Sequence, residues 1–390
     1  MLRPICKIAI TQVSNKDYPD RNSTFTFDFV NSIEIHRSWA NLSDTAKLIF
    51  PMNIYFVDQT GKKVSWVNKN IVSGNTSPIL LRGDKIEISL GYKFYDSNNN
   101  EQTQINVEFD GYISKITNRI PIEIECTDQM YALQQISTPN KVYKGSQYNV
   151  QSMLGEMLQG SNTDIGVVAD SKTNIGDFRT NNETVAQVLK RLQNDYRLES
   201  YFKGGNLYCS GLVYLPEFAK EVEFSFQNNI IEDDLEYTRQ DDLNIGIKAY
   251  SCNEVVLNTT TPSGKPRKKR TRLSVFVTKD GIVNESGFEG EKRTLYLWNI
   301  KDVNDLATKA RDRMNRFYYE GFQGSFLTFG LPYVDWGYDV KILDSVLPER
   351  NGVYKVKSVN VTYGMGGFRR SIELDMRIDQ MSEQQIAQGL

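Results

Sequence analysis

The chain has 390 residues, a formal net charge of −2, 39% hydrophobic and 24% charged residues, and a single histidine. That length suits two or three domains, and the composition is that of a folded chain rather than a disordered one. The charge balance excludes a whole-molecule electrostatic footprint for nucleic acid, one histidine excludes a metal site of several imidazoles, and no apolar run reaches the ~20 residues of a membrane-spanning helix.

The N-terminus, MLRPICKIAITQV, opens directly as a strand and lacks a secretory apolar core, so no signal peptide is expected. After a polar loop, Phe25, Phe27 and Phe29 alternate with Thr26 and Asp28, and Ile33 and Ile35 continue nearby. Residues 53–58, 86–90, 105–116 and 121–127 read as further strands. Arg82-Gly83-Asp84 is read as a turn before the strand from Lys85 rather than as an adhesion motif. The runs FDGYISKI and PIEIECTD read as a hairpin, and residues 128–135 as a short helix. Together these pieces predict a first antiparallel barrel over residues 1–135.

Residues 136–215 change character and read as a small α/β insert. Asn149 is a candidate N-cap for a helix carrying Val150, Met153, Leu154, Met157 and Leu158 on one face and ended by Gly160. A second helix is predicted from Glu183 to Tyr196, with Thr180 and Glu183 as its capping box. A hairpin follows, turning at Gly204-Gly205. The Met and Leu residues at helical spacing are read as core.

From residue 216 to 380 the pattern predicts a second barrel interrupted by one long helix, 302–320. Val222, Phe224 and Phe226 alternate, and an acidic segment runs through Glu232-Asp233-Asp234 to Asp241-Asp242. Two strands then flank a basic loop holding Lys265, Arg267, Lys268, Lys269, Arg270 and Arg272. It is read as a solvated loop, with a polyanion as the alternative partner, and no interleaved aromatics for stacking bases. Asp302 is the N-cap of the helix, whose later turns are cationic, and Gly321 ends it. Beyond it come four alternating runs: 325–329, 339–343, 353–363 and 369–376. Pro332, Gly337, Asn351-Gly352 and residues 364–367 punctuate them, Asn351-Gly352 being read as a two-residue hairpin turn. Residues 381–390 form a polar tail.

Chemistry is sparse. His36 lies near a strand end with no G-x-S-x-G nucleophile turn in the sequence. The acidic clusters lack the spacing of a calcium loop. Residues 364–367 lack the Lys-Ser/Thr of a phosphate loop and lie between strands. Cys6, Cys126, Cys209 and Cys252 form no CxxC pair and fall in strand-like runs, as small buried hydrophobes folded under reducing conditions. No catalytic, cofactor or metal site is expected. Tyr333, Trp336 and Tyr338 are the candidate exposed aromatic patch.

One order of motifs is informative: a helix, then GSF, a proline, WG-x-D-V-K, PERNGVYKVKSV and YG-x-GG-F-R-R-x-I-E-L. With FDGYI…IEIEC upstream and the acidic segment from Asn229, it resembles the hub proteins of phage tails and related injection systems. That group contains late control protein D and the N-terminal hub part of type VI secretion spike proteins. The resemblance is strongest over 221–378 and weaker over 1–135. It implies a mainly β fold, two small antiparallel β-barrels of tail-tube type plus the α/β insert. It also implies a non-enzymatic homotrimer that adapts a sixfold tail tube to a threefold spike or tip. DNA would pass through its channel without sequence-specific binding. The protein would lie in the virion tail, after assembly in the host cytoplasm. The alternatives are a receptor- or carbohydrate-binding tail-tip protein and, behind it, a tail-associated hydrolase using Asp233 and Asp234.

Overall fold

The computed structural model describes residues 2–51, 55–57, 63–65, 79–117, 121–159, 165–169, 175–196, 198–211, 213–239, 243–260, 266–298, 300–315 and 320–379. The first half holds β1 (Arg3–Thr11), β2 (Thr24–Phe27), β3 (Ser32–Ser38), β4 (Thr45–Phe50), the short pair β5 (Tyr55–Val57) and β6 (Lys63–Ser65), β7 (Lys85–Tyr95), β8 (Glu101–Thr117) and β9 (Ile122–Thr127). Period-2 alternation sets their faces: Ile8 and Ile10, Ile33 and Ile35, and Ile86 and Ile88 all turn inward. The alternation of Ala46, Leu48 and Phe50 makes β4 a strand as well, one the sequence reading did not include. Asp84 is fully buried and ion-paired to Arg21 at 2.6 Å, so residues 82–84 are a structural turn.

The middle of the chain holds α1 (Met130–Leu133), β10 (Val142–Tyr143), α2 (Val150–Leu158), β11 (Gly166–Ala169), β12 (Phe178–Arg179), α3 (Val185–Tyr196), β13 (Glu199–Lys203) and β14 (Asn206–Ser210). The expected face of α2 is buried, and Asn149 caps it by accepting the Ser152 amide at 2.8 Å. The capping box of α3 is Thr184-x-x-Gln187 rather than Thr180-x-x-Glu183. Thr184 Oγ1 accepts the Gln187 amide, and Gln187 Oε1 accepts the Thr184 amide at 2.8 Å. Thr180 is instead fully buried and donates to the Pro139 carbonyl. Between β13 and β14, Gly204 and Gly205 take φ of +57° and +81°, the turn that glycine makes without strain.

The rest comprises β15 (Glu221–Ser225), β16 (Ile230–Thr238), β17 (Ile245–Thr260), β18 (Pro266–Thr278), β19 (Gly281–Ile282), β20 (Glu291–Trp298), α4 (Val303–Asn315), β21 (Gly321–Phe329), β22 (Asp339–Leu343), β23 (Gly352–Gly364) and β24 (Gly367–Arg377). Of the predicted long helix, residues 303–315 are helical, 320 is not, and 316–319 lie outside the described residues, as do Gly160, Asp241-Asp242 and the tail. Gly364 pairs with Gly367 in a tight turn that leaves Met365 fully exposed. Asn351-Gly352 is not a two-residue hairpin turn. A 3-10 turn, Pro348–Arg350, lengthens that connection, and Asn351 ends it with its side chain accepting the Asp344 amide at 2.7 Å.

The chain is mainly β with an α/β insert, as expected, and closure of either half into a barrel is not seen among the described residues. One sheet runs β16-β21-β24-β23-β3-β4-β9-β8-β7-β1-β2, with β22 also on β23 and β15 on β22. Its two halves join through the antiparallel pair β3–β23, from Ser38 opposite Ser358 to Ser32 opposite Gly364. Among the described residues the path is open, ending at β16 and β2, because β3 bonds across to β23 instead of closing back within its own half. One hydrophobic cluster lies under both halves, holding Ile8, Leu48 and Ile88 together with Phe326, Val359 and Ile372. A second cluster joins α1, α2 and α3 to β14. A third joins α4 to β17 and β18 through Ile247, Ala249, Val275, Leu306 and Ala310.

Candidate functional site

The candidate site is the seam where the two halves and the insert meet. Arg370 on β24 is in phase with Phe368 and Ile372, so the strand period carries a cation into the interior, where its side chain has no exposure. Glu108 on β8 meets it, also fully buried, with Oε1 at 2.7 Å from Arg370 Nη2 and Oε2 at 3.2 Å from Nη1. Arg370 also donates to the carbonyls of Val334 and Gly330, at 3.0 Å each. Arg37 on β3 shares the same carboxylate at 3.0 Å and donates to the Tyr333 hydroxyl at 2.8 Å. Its Nε lies 3.6 Å from Asp335. Lys203, from the insert, completes the chain by donating to Asp335 at 2.6 Å and lying 4.0 Å from the Trp336 ring centroid. One fork-shaped network thus fastens both halves and the insert.

Its electrostatics follow from burial and neighbours. Burial alone would pull the Arg37 guanidinium down, but Asp335, Tyr333 and Glu108 more than offset it and hold it well above its ordinary value. Burial would raise Asp335, yet Arg37 and Lys203 keep its carboxyl below the usual range. Tyr333 is pushed up to about 12, chiefly by burial. These groups stay charged, or in Tyr333's case neutral, at any ordinary pH. The network is a fastening rather than a proton-transfer centre.

A second polar pair sits where the insert leaves the sheet. Asp128 accepts the Asp44 amide at 3.1 Å and the Met130 amide at 3.0 Å, while Asp44 accepts the Ser38 amide at 3.0 Å. Burial first, and then the Asp44 charge, push Asp128 up to about 8. Burial, and then the Asp335 charge, push Asp44 up to about 6. Both folded values lie above the ~3.9 of an unfolded aspartate. The folded chain therefore holds protons that the unfolded chain has released between about pH 4 and pH 8. The stability from this pair is fully present below pH 4 and lost as pH rises through 8. Urea midpoints at pH 5, 6.5 and 8 test this. Asp128→Asn should lose ground to wild type at the acid end and gain on it as pH rises, whereas a pH-independent difference would refute the assignment.

The outer face of the seam is polar. Across it, Asn360 faces His36, Thr45 and then Thr127, and in the next row Thr362 faces Glu34, Lys47 and Glu125. Lys115 pairs with Glu125 at 2.9 Å and Lys47 with Glu123 at 3.4 Å, so charges alternate along the face. A groove of about 490 Å³ runs here between the halves. His36 contacts Asn360 Oδ1 through Nδ1 and Asn41 Nδ2 through Nε2, the latter at 2.7 Å. The lone histidine is thus a partnered junction residue. Among the described residues no cluster of three His, Cys, Asp or Glu side chains is placed to hold a metal ion.

The predicted site residues fall elsewhere. The basic run is not a loop but strand: Arg267, Lys268, Lys269, Arg270 and Arg272 lie on β18, paired with β17, and Lys265 lies outside the described residues. Cross-strand bonding to β17 imposes the extended backbone that a run of charges conceals in the sequence. Arg272 is exposed and stacks on Tyr250, its Cζ 3.7 Å from the ring centroid. Tyr333, Trp336 and Tyr338 do not form an exposed patch. Trp336 is 4% and Tyr338 8% exposed, and Tyr333 is partly buried against the core. The insert covers Trp336, with Tyr201 edge-on to it at 4.9 Å, while Arg37 and Arg370 lie over the Tyr333 ring. The sequence reading had missed Arg37, Glu108 and Arg370. For Arg370 the signal was present, a charged residue in phase with buried apolar ones.

No family model matches this sequence, and a search of curated proteins gave no match. Solved structures share its fold. The tail protein from Neisseria meningitidis MC58 aligns over 96% of both chains at 13% identity, with a TM-score of 0.55. The 43 kDa tail protein of prophage MuSo2 from Shewanella oneidensis aligns over 96% of this chain and 97% of its own, at 11% identity and a TM-score of 0.55. A chain of the lidded Francisella PdpA-VgrG complex aligns over 97% of this chain and 53% of its own, at 10% identity and a TM-score of 0.51. At these identities the likeness is one of fold.

Proposed function

We propose that this chain, which has the fold of phage tail proteins, is a structural hub of a phage tail or of a phage-like injection system. Three copies close into a ring that adapts a sixfold tail tube to a threefold spike or tip. The observation that carries this reading is the β3–β23 seam, where two halves of one chain stand side by side in a single sheet and leave β16 and β2 as open ends. Repeating a side-by-side junction between chains gives six half-units from three copies and hides the open strand edges. The charged and polar rows of the seam face then line the channel, a surface on which DNA passes without being held. The insert and the unit formed by β17–β20 and α4, each with its own core, stand outside the ring as contact surfaces for neighbouring tail proteins. The protein then belongs to the virion tail and works through surfaces rather than catalysis.

Light scattering over a concentration series, alone and with tube and spike partners, tests the ring. The expected species is three times the 44.7 kDa chain. A monomer under every condition, partners included, would refute it.

A further inference from the structure

The sheet β19-β18-β17-β20 buries one face under α4; on the other, the segment around Glu285 and Phe288 covers Phe276 and Lys248, and the end carrying Tyr296 is exposed. On that second face Tyr250 of β17 and Tyr296 of β20 are direct cross-strand partners, and their rings stack at 5.5 Å between centroids and 17° between planes. Arg272 of β18 lies over Tyr250, which makes a row of guanidinium, ring and ring. Tyr296 is 51% exposed and stands on β20, which pairs only with β17 among the described strands. On β18 the two-residue period places Lys268 and Arg270 in phase with Arg272 and puts Arg267 and Lys269 out of phase, with Glu254 of β17 opposite Arg270. Residues 245–298 hold ten Lys and Arg against five Asp and Glu, a net charge of +5 within a chain whose total is −2. The sequence alone showed this cationic run without aromatics. The fold supplies them from two neighbouring strands.

We propose that this face binds single-stranded nucleic acid without sequence preference. Phosphates lie along the basic strand β18, and unpaired bases extend the Arg272–Tyr250–Tyr296 row. A cationic track beside exposed stacked rings is the combination such binding needs: phosphate neutralisation gives a salt-dependent attraction, and any base offers a π face to a tyrosine. A duplex hides its base faces, so it would use only the charges. The site lies outside the polar seam and does not depend on ring assembly.

The test is fluorescence anisotropy of the full chain with labelled oligo-dT, the matching duplex and heparin at several salt concentrations. Oligo-dT should bind more tightly than duplex and compete against heparin. Tyr296→Ala should weaken oligo-dT on the order of tenfold while leaving duplex and heparin unchanged. Tyr296→Trp should restore the binding. Arg272→Ala should weaken all three and flatten the salt dependence. Because Tyr296 is half exposed, thermal melts of its variants should match wild type. Equal binding of the three polyanions, indifference to Tyr296, or no binding at low salt would each overturn the proposal. Preference for heparin would assign the face to an anionic glycan instead.

Discussion

Glu108→Gln is expected to be among the most destabilising single changes in the chain, costing about 3–5 kcal/mol. The substitution conserves shape, so no cavity confuses the result. It removes the one negative charge shared by Arg37 and Arg370, and the Arg370 side chain has no exposure. A buried ion pair need not exceed a well-packed apolar core in stability, but a buried cation deprived of its partner is costly. Urea unfolding would show the loss as a lower midpoint with an unchanged slope if the fold stays cooperative. A loss below about 1 kcal/mol would mean that the Val334 and Gly330 carbonyls alone satisfy Arg370.

Trp336→Ala is expected to cost about 3–5 kcal/mol, the usual range for deleting a buried aromatic. The ring packs edge-on to Tyr201 and carries the Lys203 ammonium on its face, so its loss opens a void between the insert and the sheet and loosens the Lys203–Asp335 contact. Thermal or urea unfolding measures the loss. A fully stable variant that had lost binding to a cell-surface glycan would instead restore the exposed-platform reading.

Much of the fold was legible. Alternation placed most strands because half-buried strands must alternate, and the Asn149 cap and the Gly204-Gly205 turn have local causes. What was hidden is non-local or masked by charge. Nothing near residues 32–38 says that they pair with 358–364, since both strands read as ordinary amphipathic runs. The strand β18 was read as a loop because a sequence of cations has no apolar period to count. Trp336 lies among Pro332, Asp335 and Gly337, a composition that reads as surface, and only the insert folding over it makes it core. Glu108 and Arg370 are 262 residues apart, so although Arg370 is in phase with apolar residues, nothing near either strand names its partner. The aromatic partners of the basic run were invisible for the same reason: they arrive through pairing, not through sequence proximity.

The seam between β3 and β23 also fixes an order of events during synthesis. His36 and Asn360 meet across 324 residues. A growing chain can fold its first strands early, but the flank of β3 stays without its neighbour until almost the whole chain has left the ribosome. Such late, long-range closure is slow and leaves an adhesive edge exposed in the meantime. The last strand to pair on that edge also brings Arg370's strand beside it, and with it the second of the two guanidinium groups that share Glu108. A chain cut short before residue 352 would carry an unpaired β3 edge and a Glu108 held by Arg37 alone. The contact that joins the two halves therefore exists only in a chain that has been completed past β23.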